Sequence, residues 1–392
     1  MIERLHVSQL RNIRQATLSM SKCNVIIGAN GSGKTSLLEA IFLLSRGKSF
    51  RHHQPKRYIQ HHQPTATVHA SLSDGSSLAI QKNTDASTLL RLNHNTVYNQ
   101  SILTEQLPTL LIDPSSMDML EQGSASRRQL LDWLAFHMKQ AFHPQWVAYQ
   151  RLLKQRNSVL KRSRSLNANQ LAELQAWDAG LSNHAALIHH YRQHLFDAWQ
   201  PYFAEAIDKL LPAYSGQLQL SYQAGFDTSR PLDEQLSERL EQDSQLGYTR
   251  IGSHRADIHV HWREGGGALG NIKEQAANVL SRGEKKLLIT ALRLSQLPLL
   301  LNHAAHDERY ANTRARPTPV VLLDDVTAEL DARAIDILLT TLAELPCQVV
   351  LTSLTQEILP QVQRYWQMPR LFHVKQGVIK HTDKPTESTA LS

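Results

Sequence analysis

The sequence predicts an α/β fold: a mixed sheet with flanking helices, built around a phosphate-binding loop and interrupted by an inserted, mainly helical domain. Three observations carry this. A glycine-rich loop follows a β-prone run and opens a helix near the N-terminus, a wholly apolar run ending in two aspartates stands near the C-terminus, and between them lies a long stretch with few glycines and apolar residues three and four apart. The expected division is 1–112 for the N-terminal part of the head, 113–245 for the helical insertion, 246–380 for the C-terminal part of the head, and 381–392 for a Thr-, Ser- and Lys-rich tail expected to be disordered.

Cys23–Ile27 is the β-prone run, and the apolar residues at 37, 38, 41 and 44 share one helical face. Between them, Gly28-Ala29-Asn30-Gly31-Ser32-Gly33-Lys34-Thr35 has two glycines five apart followed by Lys and Thr. Such glycines let backbone N–H groups curl around phosphates, Lys34 adds a fixed positive charge, and Thr35 offers a hydroxyl to Mg²⁺; Ser36 completes the ATP-binding set. A flexible glycine turn is the alternative, which the strand and helix flanks count against. Further on, Val68, Ala70 and Leu72 alternate with small or polar residues, Asp74-Gly75 supplies a turn, and Leu78 and Ile80 resume the alternation. This is a β-hairpin, so a partly antiparallel sheet is expected beside the loop.

The helical pattern shows in Leu130, Leu131 and Leu134 and again in Leu152, Leu153 and Leu160. Alternation returns over 251–262, a glycine-rich turn follows at 265–267, and an apolar-periodic helix is expected over 284–300. Residues 302–319 are polar and proline-punctuated and read as a loop. Val320–Leu323 then has the look of a strand buried on both faces, which places Asp324 at the carboxyl end of a central strand, where α/β sheets put their ligands. Asp324 is the expected Mg²⁺ partner, and Asp325 would orient or deprotonate an attacking water. The alternative is a pair of helix-capping carboxylates.

The chain's 392 residues are enough for two domains, and no apolar run approaches the roughly 20 residues that span a bilayer. The N-terminal residues lack the apolar block of a secretory signal, so a cytoplasmic protein without a membrane partner is expected. Two cysteines, Cys23 and Cys347, leave no room for a disulfide framework or a cysteine-rich zinc site. The 20 histidines, including His52-His53 and His61-His62, read as solvated surface, because adjacent pairs point in different directions and no ligand cluster accompanies them.

Forty-two Lys and Arg against 35 Asp and Glu give a net charge of +7, which favours polyanionic partners. Two segments contain no acidic residue. Residues 40–73 carry Arg46, Lys48, Arg51, Lys56 and Arg57; residues 133–172 carry Lys139, Arg151, Lys154, Arg156, Lys161, Arg162 and Arg164. These are the candidate DNA-binding residues, through phosphate contacts, since neither segment interleaves enough aromatics for base stacking. A plain solvated face is the alternative.

Leu280-Ser281-Arg282-Gly283-Glu284-Lys285-Lys286 leads into a helix. Alone it reads as a helix cap. In the company of the loop and the two acids it resembles the signature motif of ABC-type ATPases, and Glu329-Leu330-Asp331 is similar to their D-loop. Within that class, residues 280–287, Asp324-Asp325-Val326 through Asp331, Gly252-Ser253-His254-Arg255-Ala256-Asp257, and Ser126-Arg127-Arg128 through Asp132-Trp133 resemble the RecF family of ABC/SMC-like P-loop ATPases, over roughly residues 1–370.

The resemblance implies an ABC-type head with ATP and Mg²⁺ as cofactors and an ATP-dependent homodimer, in which Ser281, Arg282, Gly283 and Glu284 of one subunit cap the γ-phosphate held by the other. It further implies binding of double-stranded DNA and single-strand/double-strand junctions near gaps. RecR and RecO are the implied partners, in promoting RecA loading on SSB-coated DNA, with slow, DNA-stimulated hydrolysis. Some features depart from the broader class. Asp325 stands where Glu is usual, no switch histidine occurs in 349–353, and the 302–316 loop is long; Gln100 and Gln106 are possible Q-loop residues. Three other functions fit this sequence less well. A transporter-type subunit would have a compact head, an SMC-like tether would need a long coiled coil that Pro144, Pro201 and Pro212 interrupt, and a small-molecule kinase leaves the signature unexplained.

Overall fold

The computed structural model describes residues 1–113, 116, 118–121, 123–162, 167–263, 272–306 and 317–382. Arg164, the turn expected at 265–267, residues 307–316 of the expected loop and 383–392 of the tail lie outside the described residues. The chain forms two compact units, 1–116 with 304–392, and 117–303.

The first unit begins with strands β1 (Ile2–Leu10), β2 (Ile13–Ser19), β3 (Cys23–Ile27), β4 (Thr65–Leu72), β5 (Ser77–Asn83), β6 (Thr88–Leu92), β7 (Asn95–Val97) and β8 (Thr109–Ile112). The second unit supplies β9 (Leu218–Gln223), β10 (Asp257–Arg263) and β11 (Ile272–Gln275); the returning chain adds β12 (Val320–Leu323), β13 (Gln348–Ser353), β14 (Arg370–Lys375) and β15 (Val378–Thr382).

Two six-stranded sheets build the first unit. One is antiparallel, in the order β2-β1-β4-β5-β6-β7, and contains the expected hairpin around Asp74-Gly75. The other runs β15-β14-β3-β13-β12-β8, parallel throughout except for β15 on its edge. β3, β12 and β13 are buried at every residue, which is why Val25–Ile27, the whole of β12 and Val349–Leu351 read as continuous apolar runs rather than alternating ones. The helix Lys34–Arg46 inserts Leu37, Leu38, Ile41 and Leu44 into the core that both sheets share.

In the second unit the helices Ser124–Met138 and Phe142–Arg162 accompany the 43-residue helix Ala168–Leu210, about 65 Å long at 1.5 Å per residue. Pro201 stands inside this helix and does not interrupt it, contrary to the expectation. The fully buried Trp199 and Phe203 hold the helix on either side of the proline, with Trp199 Nε1 donating to Ser295 Oγ at 2.8 Å. The helix expected over 284–300 is two helices, Arg282–Leu294 and Gln296–His306, the second of which runs into the expected 302–319 loop. Pro298 has no N–H to offer Leu294, which separates them.

Contacts place the limits of the second unit at 117 and 303, where the sequence placed those of the insertion at 113 and 245. The reason is pairing: β10 is bonded to β9 on one side and β11 on the other, which keeps residues after 245 with the helical elements. Among the described residues, no helix is long and apolar enough to cross a membrane.

Candidate functional site

β3 ends at Ile27, and the loop that follows turns into the helix Lys34–Arg46 through Gly33, whose φ of 117° a residue with a side chain would rarely adopt. Ala29, Asn30 and Gly31 form the exposed rim, whereas Ser32, Gly33, Lys34 and Ser36 are buried. Lys34 Nζ folds back to donate to Gly28 O at 2.7 Å and Ala29 O at 3.3 Å, and lies 3.8 Å from Asp325 Oδ1. A cation is thus held at the mouth of a helix N-terminus, the arrangement that favours a phosphate. Nothing lies within 4 Å of where a Cβ on Gly31 would project, so the loop leaves open space beside its backbone.

The parallel sheet brings the second half of the site from far away in the chain. Asp324, at the end of β12, accepts hydrogen bonds from Thr35 Oγ1 at 3.0 Å and from Thr352 Oγ1 at 2.8 Å. Burial pushes its carboxyl above the usual carboxylate range, and the bonds from Thr352 and Thr35 oppose that shift in part. Asp325 adopts a left-handed conformation (φ 46°, ψ 45°), and its backbone N–H donates to Thr352 Oγ1 at 2.8 Å. A non-glycine residue in that region costs on the order of 1–3 kcal/mol and persists only where its surroundings enforce it, and such strain concentrates at functional sites. Asp325 Oδ1 is buried without a hydrogen-bond partner.

These features fit Mg²⁺ and a nucleotide phosphate. One hydroxyl and one carboxylate oxygen at hydrogen-bond distance match an ion that takes one or two protein oxygens and keeps water and phosphate oxygens for the rest. The orphaned Asp325 oxygen faces the same space as Lys34 and offers an acceptor for a water. Thr352 is the residue that motif reading missed. It lies in the 349–353 segment, which lacks a switch histidine, and its hydroxyl serves both aspartates. Asn12 was missed as well: its Nδ2 donates to Gly31 O at 3.1 Å and Ser32 O at 2.9 Å. Nothing in its sequence context would have marked it.

Ser281 caps the helix Arg282–Leu294 in a capping box with Glu284, and Tyr214 Oη donates to Glu284 Oε1 at 3.0 Å. The bonds from the Ser281 backbone and hydroxyl hold the Glu284 carboxyl below its usual range. Ser281, Arg282 and Gly283 are exposed. Asp331 caps the helix Ala332–Glu344, accepting from Ala334 N at 2.8 Å. Gln100 donates to Leu44 O and Ser45 O at the carboxyl end of Lys34–Arg46, away from the phosphate-binding end, which removes it as a Q-loop residue; Gln106 ends the helix Gln100–Gln106.

Lys48, Arg51, Lys56 and Arg57 are exposed and Arg46 is half-buried. On the helix Phe142–Arg162, Arg151, Lys154, Lys161 and Arg162 are exposed. Arg156 is not a surface residue. Two positions on from Lys154 it faces the opposite side of the helix, fully buried, with bonds to Asp178 at 2.7 Å, Asp243 at 2.7 Å and Thr249 at 2.8 Å. Its charge is consumed inside the second unit and unavailable to DNA.

The two motifs around 126–133 and 252–257 bind each other. Arg127 forks onto Asp257 with two bonds of 2.8 Å, and Arg128 donates to Ala256 O. Arg192 joins Asp132 to Ser253 O. His254 contacts Tyr149 Oη at 2.8 Å and Thr249 O at 3.1 Å, and burial pushes its imidazole down to about 4. His254, whose role the sequence left unassigned, thus ties the 252–257 turn to the helix Phe142–Arg162 and to Thr249 in its neutral form.

Residues 1–380 match the RecF/RecN/SMC N terminal domain family. The chain is 41% identical over 354 residues to the DNA replication and repair protein RecF of Acinetobacter baumannii (strain SDF), covering 90% of this chain and 91% of the relative. It is 36% identical over 384 residues to that of Azotobacter vinelandii (strain DJ / ATCC BAA-1303), covering 97% and 98%. In fold it is similar to the recombination mediator protein RecF-ATPrS in the RecFOR pathway, with a TM-score of 0.79 and 22% identity over 97% of this chain and 98% of that one. It is also similar to an SmcHead bound to the C-winged helix domain of ScpA, with a TM-score of 0.56 and 14% identity over 98% of each chain.

Proposed function

The chain belongs to the RecF family of SMC-like ATPases, and from that premise we propose that it is an ATP-dependent DNA-binding protein of recombinational repair and replication. The observation that carries this reading furthest is the meeting of Thr35, Asp324 and Thr352 beside Lys34, a site with the parts that phosphoryl transfer requires. Lys34 and the loop N–H groups bind the β- and γ-phosphates. Thr35 and Asp324 would hold Mg²⁺, which when bound neutralises charge on the phosphate oxygens. Asp325 orients the attacking water; its reach is shorter than a glutamate's, so turnover is slow.

The exposed start of the helix Arg282–Leu294 supports a composite site. Ser281, Arg282 and Gly283 of one subunit present a helix N-terminus to the γ-phosphate held by the partner, so that ATP closes a homodimer. Closure clamps double-stranded DNA near single-strand gaps through phosphate contacts from Lys48, Arg51, Lys56 and Arg57 and from Arg151, Lys154, Lys161 and Arg162. With RecO and RecR the protein then promotes RecA loading on SSB-coated DNA, and DNA stimulates hydrolysis. The test is fluorescence anisotropy of a labelled duplex with and without Mg²⁺-ATP at two salt concentrations. ATP should tighten binding and salt weaken it, and Lys34→Arg should lose the ATP response. An ATP-independent affinity would end the clamp reading.

A further inference from the structure

The phosphate-binding loop is held from behind by two segments at opposite ends of the chain. Ser32 O accepts two hydrogen bonds, from Asn12 Nδ2 at 2.9 Å and from the Gly377 backbone N–H at 2.8 Å. Asn12 Nδ2 also reaches Gly31 O at 3.1 Å, and Ser36 Oγ lies 3.5 Å from Asn12 Oδ1. Asn12 sits in the turn between β1 and β2, and Gly377 in the turn between β14 and β15. The register explains how the second turn arrives there: β14 runs parallel to β3, pairing Phe372 with Ile26 and His373 with Ile27, and so carries the hairpin turn past the strand end where the loop begins.

The two turns are themselves in contact. A Cβ on Gly377 (φ 76°) would stand 2.0 Å from Asn12 O, a distance no side chain could tolerate, so only glycine allows this approach. The consequence for the loop follows from peptide geometry. In a trans peptide the C=O and the following N–H point in opposite directions. Anchoring Ser32 O at the back of the loop therefore turns the Gly33 N–H towards the front, the side on which a phosphate would lie. Without the anchors, that glycine-flanked peptide is free to rotate, and binding would have to order it at an entropic cost.

We infer that Asn12 and the Gln376–Gly377 turn form a brace that presets the phosphate-binding loop for nucleotide, so that the C-terminal hairpin is a positioning element of the ATP site. The inference rests on the nucleotide reading above, and neither residue touches the reacting atoms. Asn12 is exposed, so substituting it leaves the core intact. Asn12→Asp keeps the shape and replaces two donors with acceptors.

The experiment uses the full chain, wild type beside Asn12→Asp and Asn12→Ala, and measures three quantities. These are binding of a fluorescent ATP analogue, KM and kcat for ATP hydrolysis, and hydrogen exchange over residues 28–34 in the nucleotide-free protein. In both variants Kd and KM should rise about three- to tenfold, with Asn12→Asp the more affected, while kcat and melting temperature hold and exchange over the loop accelerates. Gly377→Ala should move KM in the same direction. Unchanged Kd and exchange in the Asn12 variants overturns the brace, as does a fall in kcat and melting temperature at constant KM. If the wild type binds no nucleotide, the reading of the site fails first and the brace with it.

Discussion

Thr352→Val removes one hydroxyl from beneath both aspartates and changes almost nothing else. Thr352 is fully buried; it donates to Asp324 Oδ1 at 2.8 Å and accepts from Asp325 N at 2.8 Å. The bond to a charged carboxylate contributes about 1.5–3 kcal/mol, and leaving the Asp325 N–H without an acceptor costs about 1–3 kcal/mol. With partial relaxation, the variant should lose about 2–4 kcal/mol of stability in urea unfolding. For catalysis, Asp324 keeps only Thr35 to orient it, and its carboxyl rises further above the usual range because one of the two bonds opposing the shift is gone. If half of the lost bond is felt in the transition state, hydrolysis slows about tenfold. The Mg²⁺ concentration for half-maximal activity should also rise, and more so at lower pH, where protons compete for the same oxygen. A variant that is destabilised yet keeps the wild-type rate and Mg²⁺ dependence would show that Thr352 is only a core residue. Unchanged stability would refute the hydrogen bonds themselves.

Four further outcomes follow from the same geometry. Because burial raises the Asp324 carboxyl, its stabilising contribution is complete below the unfolded value of 3.8 and is lost as pH rises through the folded value. Asp324→Asn should therefore raise the nucleotide-free melting temperature at pH 7 while abolishing the shift that Mg²⁺-ATP produces, both read by differential scanning fluorimetry. His254 has the opposite sign: lowered from 6.5 to about 4, it contributes stability above 6.5 that is lost as pH falls towards 4, about 3 kcal/mol in all. Urea unfolding across that window should show the loss, and His254→Gln should flatten it. Arg156→Met should destabilise by about 3–5 kcal/mol, because Asp178 and Asp243 are left as buried carboxylates. Lys154→Glu on the same helix should leave unfolding unchanged and weaken duplex binding with a shallower salt dependence.

How far the site could be read in advance depends on how local each part is. Residues 28–36 are contiguous, and their chemistry is a property of adjacent backbone and side chains, so their candidacy as a phosphate-binding loop was legible from their order alone. The Ser281–Glu284 capping box is equally local, closing over three residues. Thr352 and Asn12 belong to no local pattern; each matters only because strand register brings it to a partner far along the chain. The contact between Thr35 and Asp324 spans 289 residues. Here the sequence could nominate both ends because each lay in a motif, whereas of the contacts to Ser32 only the Ser32 end lay in one and Asn12 and Gly377 did not.

Charge was legible as composition but not as placement. The acid-free segment at 133–172 foretold the exposure of Arg151, Lys154, Lys161 and Arg162 but not the burial of Arg156, since a run of basic residues does not say which of them meets an aspartate from another helix. Pro201 taught the same lesson for the backbone: its local preference is to end a helix, and the burial of Trp199 and Phe203 prevails. By itself, then, the sequence determined the phosphate-binding loop, the buried central strand with its terminal aspartates, and the helix caps, because backbone conformation and apolar continuity act over a few residues. Only the tertiary structure decided which threonine orients those aspartates, which arginine is spent inside, and what stands behind the loop, because the first and last depend on strand register within the first unit and the second on helix packing within the second.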